Sequence, residues 1–403
     1  MRLSIESVSL PATDRRAALG SFVRYFLYLG SLGFGGPVAL AGFMHRDLVE
    51  KEGWVSEEEY GLALALAQIM PGPLAAQLAI ALGYFQHGVL GATAVGLAFV
   101  VPSFLMVIAI SMAYVRFGGL WWMQALFYGI GAAVIAIIAI AAYRLSRSTN
   151  KRDPLLWTVF AVLGVVTVVA QAELAEFFVL AGLVVLFARA RPGGRGAVLA
   201  AVGGLAVIAG IWLIERWFVN VGVAGDNVLL QILIFFTKAG SFVFGSGLAI
   251  VPFLQQGVVQ QFGWLNDHQF LDAVAVAMIT PGPVVITVVF IGFLVAGFLG
   301  AIAAAVGIFL PVWVFTVVPA PWFSRNRDNA QLKAFVQGAT AAATGALSGA
   351  VVVLAARAIY DIPTAVIALV TLAVLWRFKI QEPIVVLAAA AVGLMVWPLV
   401  RGS

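Results

Sequence analysis

The chain has no cysteine, only three histidines, and a charged fraction of 10%. Without cysteine there are no disulfides, no thiolate metal ligands and no cysteine nucleophile. His45, His87 and His268 are too far apart for the usual local metal-ligand spacings, so no metal and no cofactor is expected. Soluble domains carry roughly 25% charged residues. A chain of 403 residues that is 63% hydrophobic, with mean hydropathy +1.06, cannot fold all of its apolar surface inward. The solvent that accepts the rest is a lipid bilayer. The fold class is therefore an all-α polytopic membrane protein. A β-barrel would need short alternating strands, whereas stretches such as Gly129–Ala142 are apolar on every face.

Thirteen apolar elements are expected, near 22–45, 57–86, 89–115, 123–143, 154–170, 174–188, 197–216, 228–250, 270–292, 297–319, 334–355, 362–377 and 383–400. The net charge of +5 is not a nucleic-acid footprint, because the basic residues are spread among the loops. If every element crosses and the N-terminus is cytoplasmic, fifteen loop Lys and Arg fall inside and six outside, with Arg46 and Lys51 in the minority. Positive charge biases loops inward, so the assignment supports itself and places the C-terminus outside. The first apolar stretch exceeds a signal core, so no cleavable leader is expected. If 22–45 and 57–86 are both re-entrant, and their later counterparts with them, nine crossings remain.

The strongest internal signal is a duplication. An offset of 210 pairs Gly30 with Gly240, Phe34 with Phe244, Trp54 with Trp264 and Pro71-Gly72-Pro73 with Pro281-Gly282-Pro283. An offset of 209 then pairs Gly83 with Gly292, Gly91 with Gly300, Pro102 with Pro311 and Gly129 with Gly338. Shared hydrophobicity does not produce matches at Gly, Pro and Trp. The expected organisation is an N-terminal segment 1–21, a first repeat 22–190, a linker 191–225 holding an unpaired helix, and a second repeat 226–401. The unpaired helix turns the second repeat upside down. Inverted repeats are the architecture of secondary transporters, with the substrate site near the midplane between them.

Each repeat holds two interruptions in mid-element: Gly33-Phe34-Gly35-Gly36-Pro37 with its counterpart Phe244-Gly245-Ser246-Gly247, and Gln68 through Pro73 with its counterpart Met278 through Pro283. Proline lacks an amide donor and glycine permits a broken helix. Such backbone is tolerated at that depth only where it lines a cavity or is buried in protein. Gly-Pro at the restart places proline at a helix start, and the terminus behind it suits an anion. The expected site is an anion cradle made mostly of backbone, with Gln68 and Gln77 beside the first Pro-Gly-Pro, Thr280 and Thr287 beside the second, and Ser31, Ser241 and Ser246 beside the glycine breaks. For each hydroxyl the alternative is a bond back to its own helix. Lys238, eleven positions into its element, is an intramembrane cation and a functional candidate by default. Glu50, Lys51, Glu52, Trp54 and Glu59 in the charged linker, and Asp272 near its helix start, are candidates for coupling or gating. Ser56 and Glu59 read as a capping box.

These motifs, LGSLGFGGPVALAGFMHRDLVEKEGWVSEEEY at 29–60, ALAQIMPGPLAAQLAIALGY at 65–84 and GVLGATAVGLAFVVPSF at 88–104, resemble the chromate ion transporter family in its long, two-domain form. The resemblance covers nearly the whole chain. It implies export of chromate across a prokaryotic inner membrane, driven by the proton motive force and conferring chromate resistance, with sulfate as a competing dianion of similar shape. By motif position it points to Gly33, Gly35, Gly36, Pro37, Glu50, Lys51, Trp54, Gln68, Pro71, Gly72, Pro73 and Gln77. The second half departs at Ser246-Gly247 and Met278, which favours the first half for specific contacts.

The partners expected are a tetrahedral oxyanion, protons and lipid, with no nucleic acid; a homodimer is admitted by the residues but not required. A passive anion channel or a transporter of sulfate or another oxyanion is the alternative reading. A membrane-embedded enzyme lacks a nucleophile–base motif. Lys238→Met is expected to cut transport sharply while folded protein is still recovered; normal uptake by that variant would remove Lys238 from the site.

Overall fold

The computed structural model describes residues 17–34, 36–170, 175–190, 193–220, 227–243, 247–326, 329–378 and 380–401. Gly35, Gly245 and Ser246, and most of the N-terminal segment 1–21, lie outside the described residues. All regular structure among the described residues is helical, as expected of an all-α polytopic membrane protein.

The first four helices are α1 (Leu19–Leu32), α2 (Gly36–Met44), α3 (Glu57–Ile69) and α4 (Leu74–Phe117), with a π-helical turn, His45–Lys51, continuing α2. They form two hairpins. Near the start of α1, Phe22 lies 6.1 Å by ring centres from Trp54 and 6.1 Å from His87. The Gln86 side chain, late in the first arm of α4, donates to Glu59 at the start of α3 (3.2 Å). Each broken pair therefore returns to the end of the bundle from which it entered. The arms begin where the sequence caps them: Ser56 and Glu59 form the expected capping box, and Asn266 and Gln269 form its counterpart.

α4 is itself bent back. His87 and Gly88 leave helical geometry, and Gly88 sits at φ +63°. The first arm then packs against the second so closely that a Cβ on Gly83 would meet the Gly91 carbonyl. The same device recurs at Ala296 and Gly297 (φ +62°), with Gly292 facing Gly300.

From α4 the chain runs through α5 (Trp121–Asn150), α6 (Pro154–Ala170), α7 (Ala175–Arg189) and α8 (Gly194–Asn220). The second pair of hairpins comprises α9 (Val228–Ser241), α10 (Val251–Gln255), α11 (Asp267–Ile279) and the first arm of α12 (Thr287–Val317). The Gln255 side chain donates to Asp267 (3.2 Å), and Asp272 and Phe290 both lie against Tyr114. Tyr114 ends the second arm of α4, so these hairpins enter from the opposite end of the bundle. A short α13 (Ala320–Asn326) leads to α14 (Ala330–Ala358), α15 (Ile362–Arg377) and α16 (Glu382–Arg401).

All thirteen apolar elements are thus present among the described residues, but 22–45, 57–86, 228–250 and 270–292 are re-entrant. The other nine elements are single helices, the second arms of α4 and α12, α5 to α8, and α14 to α16; among the described residues those of α4, α5, α12, α14 and α16 are long and apolar enough to cross a bilayer. The second arm of α4 is about 43 Å long at 1.5 Å per residue, ample for a hydrocarbon core of about 30 Å. One expectation needs correcting. Arg46 and Lys51 lie at the same end as the N-terminal arm rather than across from it, because the hairpin returns. The loop charge division then becomes seventeen against four.

The two halves are interleaved. α14 packs along α6 and α7 of the first half, while α5 packs along α15 and α16 of the second. Small residues allow the approach: Gly129 lies on the Ala389 carbonyl, Gly393 on that of Ala125, and Gly345 on that of Phe160. Such interfaces gain from close van der Waals contact, since lipid removes the hydrophobic drive between helices. Outward-facing apolar side chains, among them Leu97, Leu105, Val169, Leu199, Leu369 and Met395, meet the lipid. α8 touches the bundle chiefly through α7.

Gly83→Val is expected to destabilise the protein by about 1–3 kcal/mol or more, because the intruding methyls meet backbone. Gly203→Val, whose Cβ would meet open space on α8, is expected to be neutral. Thermal melting of the two variants in detergent checks the pair.

Candidate functional site

The four hairpin tips converge in the middle of the bundle, where each half closes on the other. The Gly72 amide donates to the Val243 carbonyl (2.6 Å), and the Gly282 amide donates to the Gly33 carbonyl (3.0 Å). These two bonds are related by the repeat: a Pro-Gly-Pro tip of one half caps the glycine break of the other. Ser103 Oγ donates within reach of the Pro281 and Gly30 carbonyls (2.7 and 3.2 Å). Gly282 holds φ +99° directly over that hydroxyl, which leaves no space for a side chain. Gln77 is fully buried, and its Nε2 donates to the Pro71 carbonyl (2.7 Å), bracing the first tip from within.

A cavity of about 1460 Å³ opens from the end carrying the first-half hairpins and reaches these tips. Gly33, Gly36, Pro37, Gln68, Thr280 and Gly282 line its floor. α2 starts there, so the first-turn amides of Val38 and Ala39, both lining residues, give the floor donors and partial positive charge. Gln68 is exposed to the cavity, and among the described residues its amide bonds no protein group. The mouth is lined by Arg144, Lys151, Arg189 and Lys333 against Asp153 and Glu382. Arg189 pairs with Asp153 and donates to Gln337 (2.6 Å), and Arg144 donates to the Leu375 carbonyl (3.2 Å). Asn150, buried at the cavity wall, has neither side-chain atom bonded.

The arrangement departs from the expected cradle in three respects. The tip amides of Gly72 and Gly282 are already committed to carbonyls. The hydroxyls of Ser31, Ser241, Thr280 and Thr287 donate to Leu27, Thr237, Val276 and Val284 of their own helices or turns, so for these four the bond back to the chain is the geometry found, while Ser246 lies outside the described residues. Pro71, Gly72, Pro73, Gln77, Lys238, Ser241, Pro281, Pro283 and Thr287 do not line the cavity. Lys238 sits in the last turn of α9, its ammonium 5.6 Å from the centre of the Phe253 ring.

The linker candidates form a separate network at the outer end of the first hairpins. His45 bridges Glu50 (3.1 Å) and Glu57 (2.9 Å), Lys51 meets Asp47 (3.0 Å), and Trp54 packs on Phe22. The Arg46 guanidinium, hydrogen-bonded to Asp47 and assisted by Lys51, holds that carboxyl below the usual carboxylate range against a partial burial that acts the other way. Glu59 serves the cap and Gln86, and Glu52 is exposed. None of these residues lines the cavity. Asp272 is placed elsewhere again, on a second cavity of about 360 Å³ toward the opposite end.

The basic mouth was counted in the sequence only as loop charge. A signal for part of it was nevertheless present: Arg144 and Lys151 align through the repeat with Val353 and Tyr360, so these two cations have no counterpart in the second half.

A family model described as "Chromate transporter" matches residues 20–188 and again 230–394, leaving the α8 region between. The chain is 57% identical over 388 residues to a chromate transport protein of Cupriavidus metallidurans, covering 95% of this chain and 94% of the relative. It is 53% identical over 394 residues to a probable chromate transport protein of Synechococcus elongatus, covering 97% and 99%. A chromate transport protein of Pseudomonas aeruginosa is 32% identical over 387 residues, covering 93% and 91%. No solved structure matches the chain.

The absence of native cysteine makes a clean labelling test. Gln68→Cys and Thr340→Cys are expected to react with a membrane-impermeant thiol reagent only from the face bearing Arg144 and Lys333, and Gln124→Cys only from the opposite face. Labelling of all three from one side would refute the two-ended arrangement.

Proposed function

The chain belongs to the chromate transporter family, and from that premise we propose that it is a secondary active exporter of chromate. In this reading it resides in a prokaryotic inner membrane, draws on the proton motive force and confers chromate resistance. The seventeen-to-four division of loop charge supports an orientation with the N-terminus and the wide cavity on the cytoplasmic side and the C-terminus outside. The observation that carries the reading is this cavity, with four cations against two carboxylates at its mouth and the hairpin tips at its floor. A dianion is drawn in by the excess positive charge, which low-dielectric walls focus. It then meets Gln68 and the start of α2, donors that replace water without adding a fixed charge.

In this reading the conformation corresponds to a carrier open to the cytoplasm. The bonds from Gly72 to Val243 and from Gly282 to Gly33 close the tips beneath the cavity, and export requires them to part while the inner mouth narrows. Interleaved repeats entering from opposite ends suit such an exchange, because each state is approximately the other inverted. A channel would need a continuous path, whereas here α11 runs from the outer cavity to the floor of the inner one, a separation that favours a carrier. Sulfate, with the same shape and charge, competes in this reading. The relatives' names speak of transport, and the chain is accordingly a transporter rather than an enzyme.

In liposomes containing the purified protein, chromate flux is expected to rise with an opposing proton gradient and to fall with added sulfate. Arg144→Gln and Lys333→Gln are each expected to raise the KM for chromate by about 3- to 10-fold, as loss of one nearby charge at the water interface implies. Flux indifferent to the proton gradient would refute active export and leave a facilitator.

A further inference from the structure

Asp272 is a carboxylate where the fold gives it little support. It lies in the first half of α11 with 8% exposure, and its hydrogen-bond partner is the Tyr114 hydroxyl of α4 (2.7 Å). No cation is paired with it among the described residues. The charged and titratable groups nearest it on the flanking elements are engaged elsewhere, and the Gln124 amide of α5 shares its cavity. On its own helix, Asp267 receives the Arg357 guanidinium of α14 (2.7 Å), and His268 faces the Tyr360 ring edge-on. On α5, the Tyr128 hydroxyl donates to Asp361 at the start of α15 (2.7 Å). Phe127 and Phe290 close around Tyr114 with ring centres 5.2 and 5.0 Å away. A charged carboxylate in such a setting is costly unless water or a proton relieves it. Water has a route, because Asp272 and Tyr114 both line the outer cavity of about 360 Å³.

Two further observations give this carboxylate a mechanical connection. Its repeat counterpart is Leu62, so the acid belongs to one half and one face only. α11 also joins it directly to the floor of the inner cavity: Thr280 follows after about 12 Å of helix at 1.5 Å per residue, and then comes Gly282, bonded to Gly33.

We propose that Asp272 is the proton-binding group of the transport cycle, loaded from the outer cavity, with Tyr114 as its positioning residue. α11 is the lever that ties its charge to the tip at Gly282. Charged, the carboxylate holds to the Tyr114 hydroxyl and to cavity water. Neutralised by a proton from outside, it loses the reason to stay there, and α11 is free to shift along α4 and part the tip from Gly33. The proton leaves toward the cytoplasm as the cycle resets. Each proton carried inward adds to the inward current made by the departing dianion, so the exchange is electrogenic and is driven by the membrane potential as well as by the pH gradient. The inference rests on the exporter reading above.

The test uses the full chain in liposomes with an entrapped pH dye, following proton and chromate movement together. In the wild type, chromate flux moves protons. In Asp272→Asn, proton movement is expected to disappear and the acceleration by a pH gradient to fall about 10-fold, while Asp272→Glu keeps part of both. If wild-type protein moves no protons, the exporter reading fails and this inference with it. If the wild type is coupled and Asp272→Asn is coupled equally, the inference alone is overturned. If Asp272→Asn does not yield folded protein, Tyr114→Phe decides: a pH midpoint of transport displaced by about half a unit or more supports the pair, and an unchanged profile overturns it.

Discussion

Backbone that breaks inside a bilayer has to find its hydrogen bonds within the protein, and the rest of this structure is arranged around that requirement. Four hairpins meet inside the bundle, and among the described residues their tips hold amides and carbonyls that have left helical pairing. They solve the problem for one another. The Gly72 amide reaches Val243, the Gly282 amide reaches Gly33, and Ser103 adds a hydroxyl shared between Pro281 and Gly30. A single broken pair in lipid would be untenable, whereas two pairs entering from opposite ends supply what each other lacks. The substrate cavity is the space left where the fit between them opens toward one end.

Bringing four tips together demands that their supporting helices run unusually close. Glycine supplies this at Gly83 against Gly91 and at Gly292 against Gly300, where backbone rests on backbone. The same rule governs the long helices. α5 and α14 occupy equivalent places in the two halves, and each is clasped by the last two helices of the other half. Polar chemistry is thereby confined to a few places: the mouth of the inner cavity, its floor, the outer cavity and the charged linker network around His45. Elsewhere the side chains that would look reactive in a sequence are employed locally, as Ser241, Thr280 and Thr287 are in bonding their own backbone.

Much of this was legible in the residues. The duplication, the interruptions and the caps at Ser56 were all readable, because Gly, Pro and capping residues act locally and leave fixed spacings. Re-entry was not decidable from composition: 22–45 and 57–86 are long enough to span, and only the meeting of Phe22 with Trp54 and of Gln86 with Glu59 shows that they turn back. The site was legible in its floor, at Gly33, Gly36, Pro37 and Gln68, but not in its walls. Arg144, Arg189 and Lys333 come from the ends of three helices far apart in sequence, α5, α7 and α14, and which helix ends lie together depends on the re-entry that the sequence left open. Asp272 was visible as an acid near a helix start, but its burial against Tyr114 depends on a contact between residues 158 positions apart.

The interleaving of α5 with α15 and α16, and of α14 with α6 and α7, bears on how the protein is made. Helices leave the ribosome in order, at roughly 5–20 residues per second. α6 and α7 are complete about 140 residues before α14 begins, an interval of roughly 7 to 28 s at that pace. Throughout it, α5 lacks the clasp it will later occupy, and Gly164 and Gly182 face lipid or the insertion machinery instead of a partner. The first half therefore waits as an unfinished assembly, dependent on biogenesis factors or on its own tolerance of lipid contact. A truncated transcript ending after α8 would leave a membrane-inserted chain with no way to close.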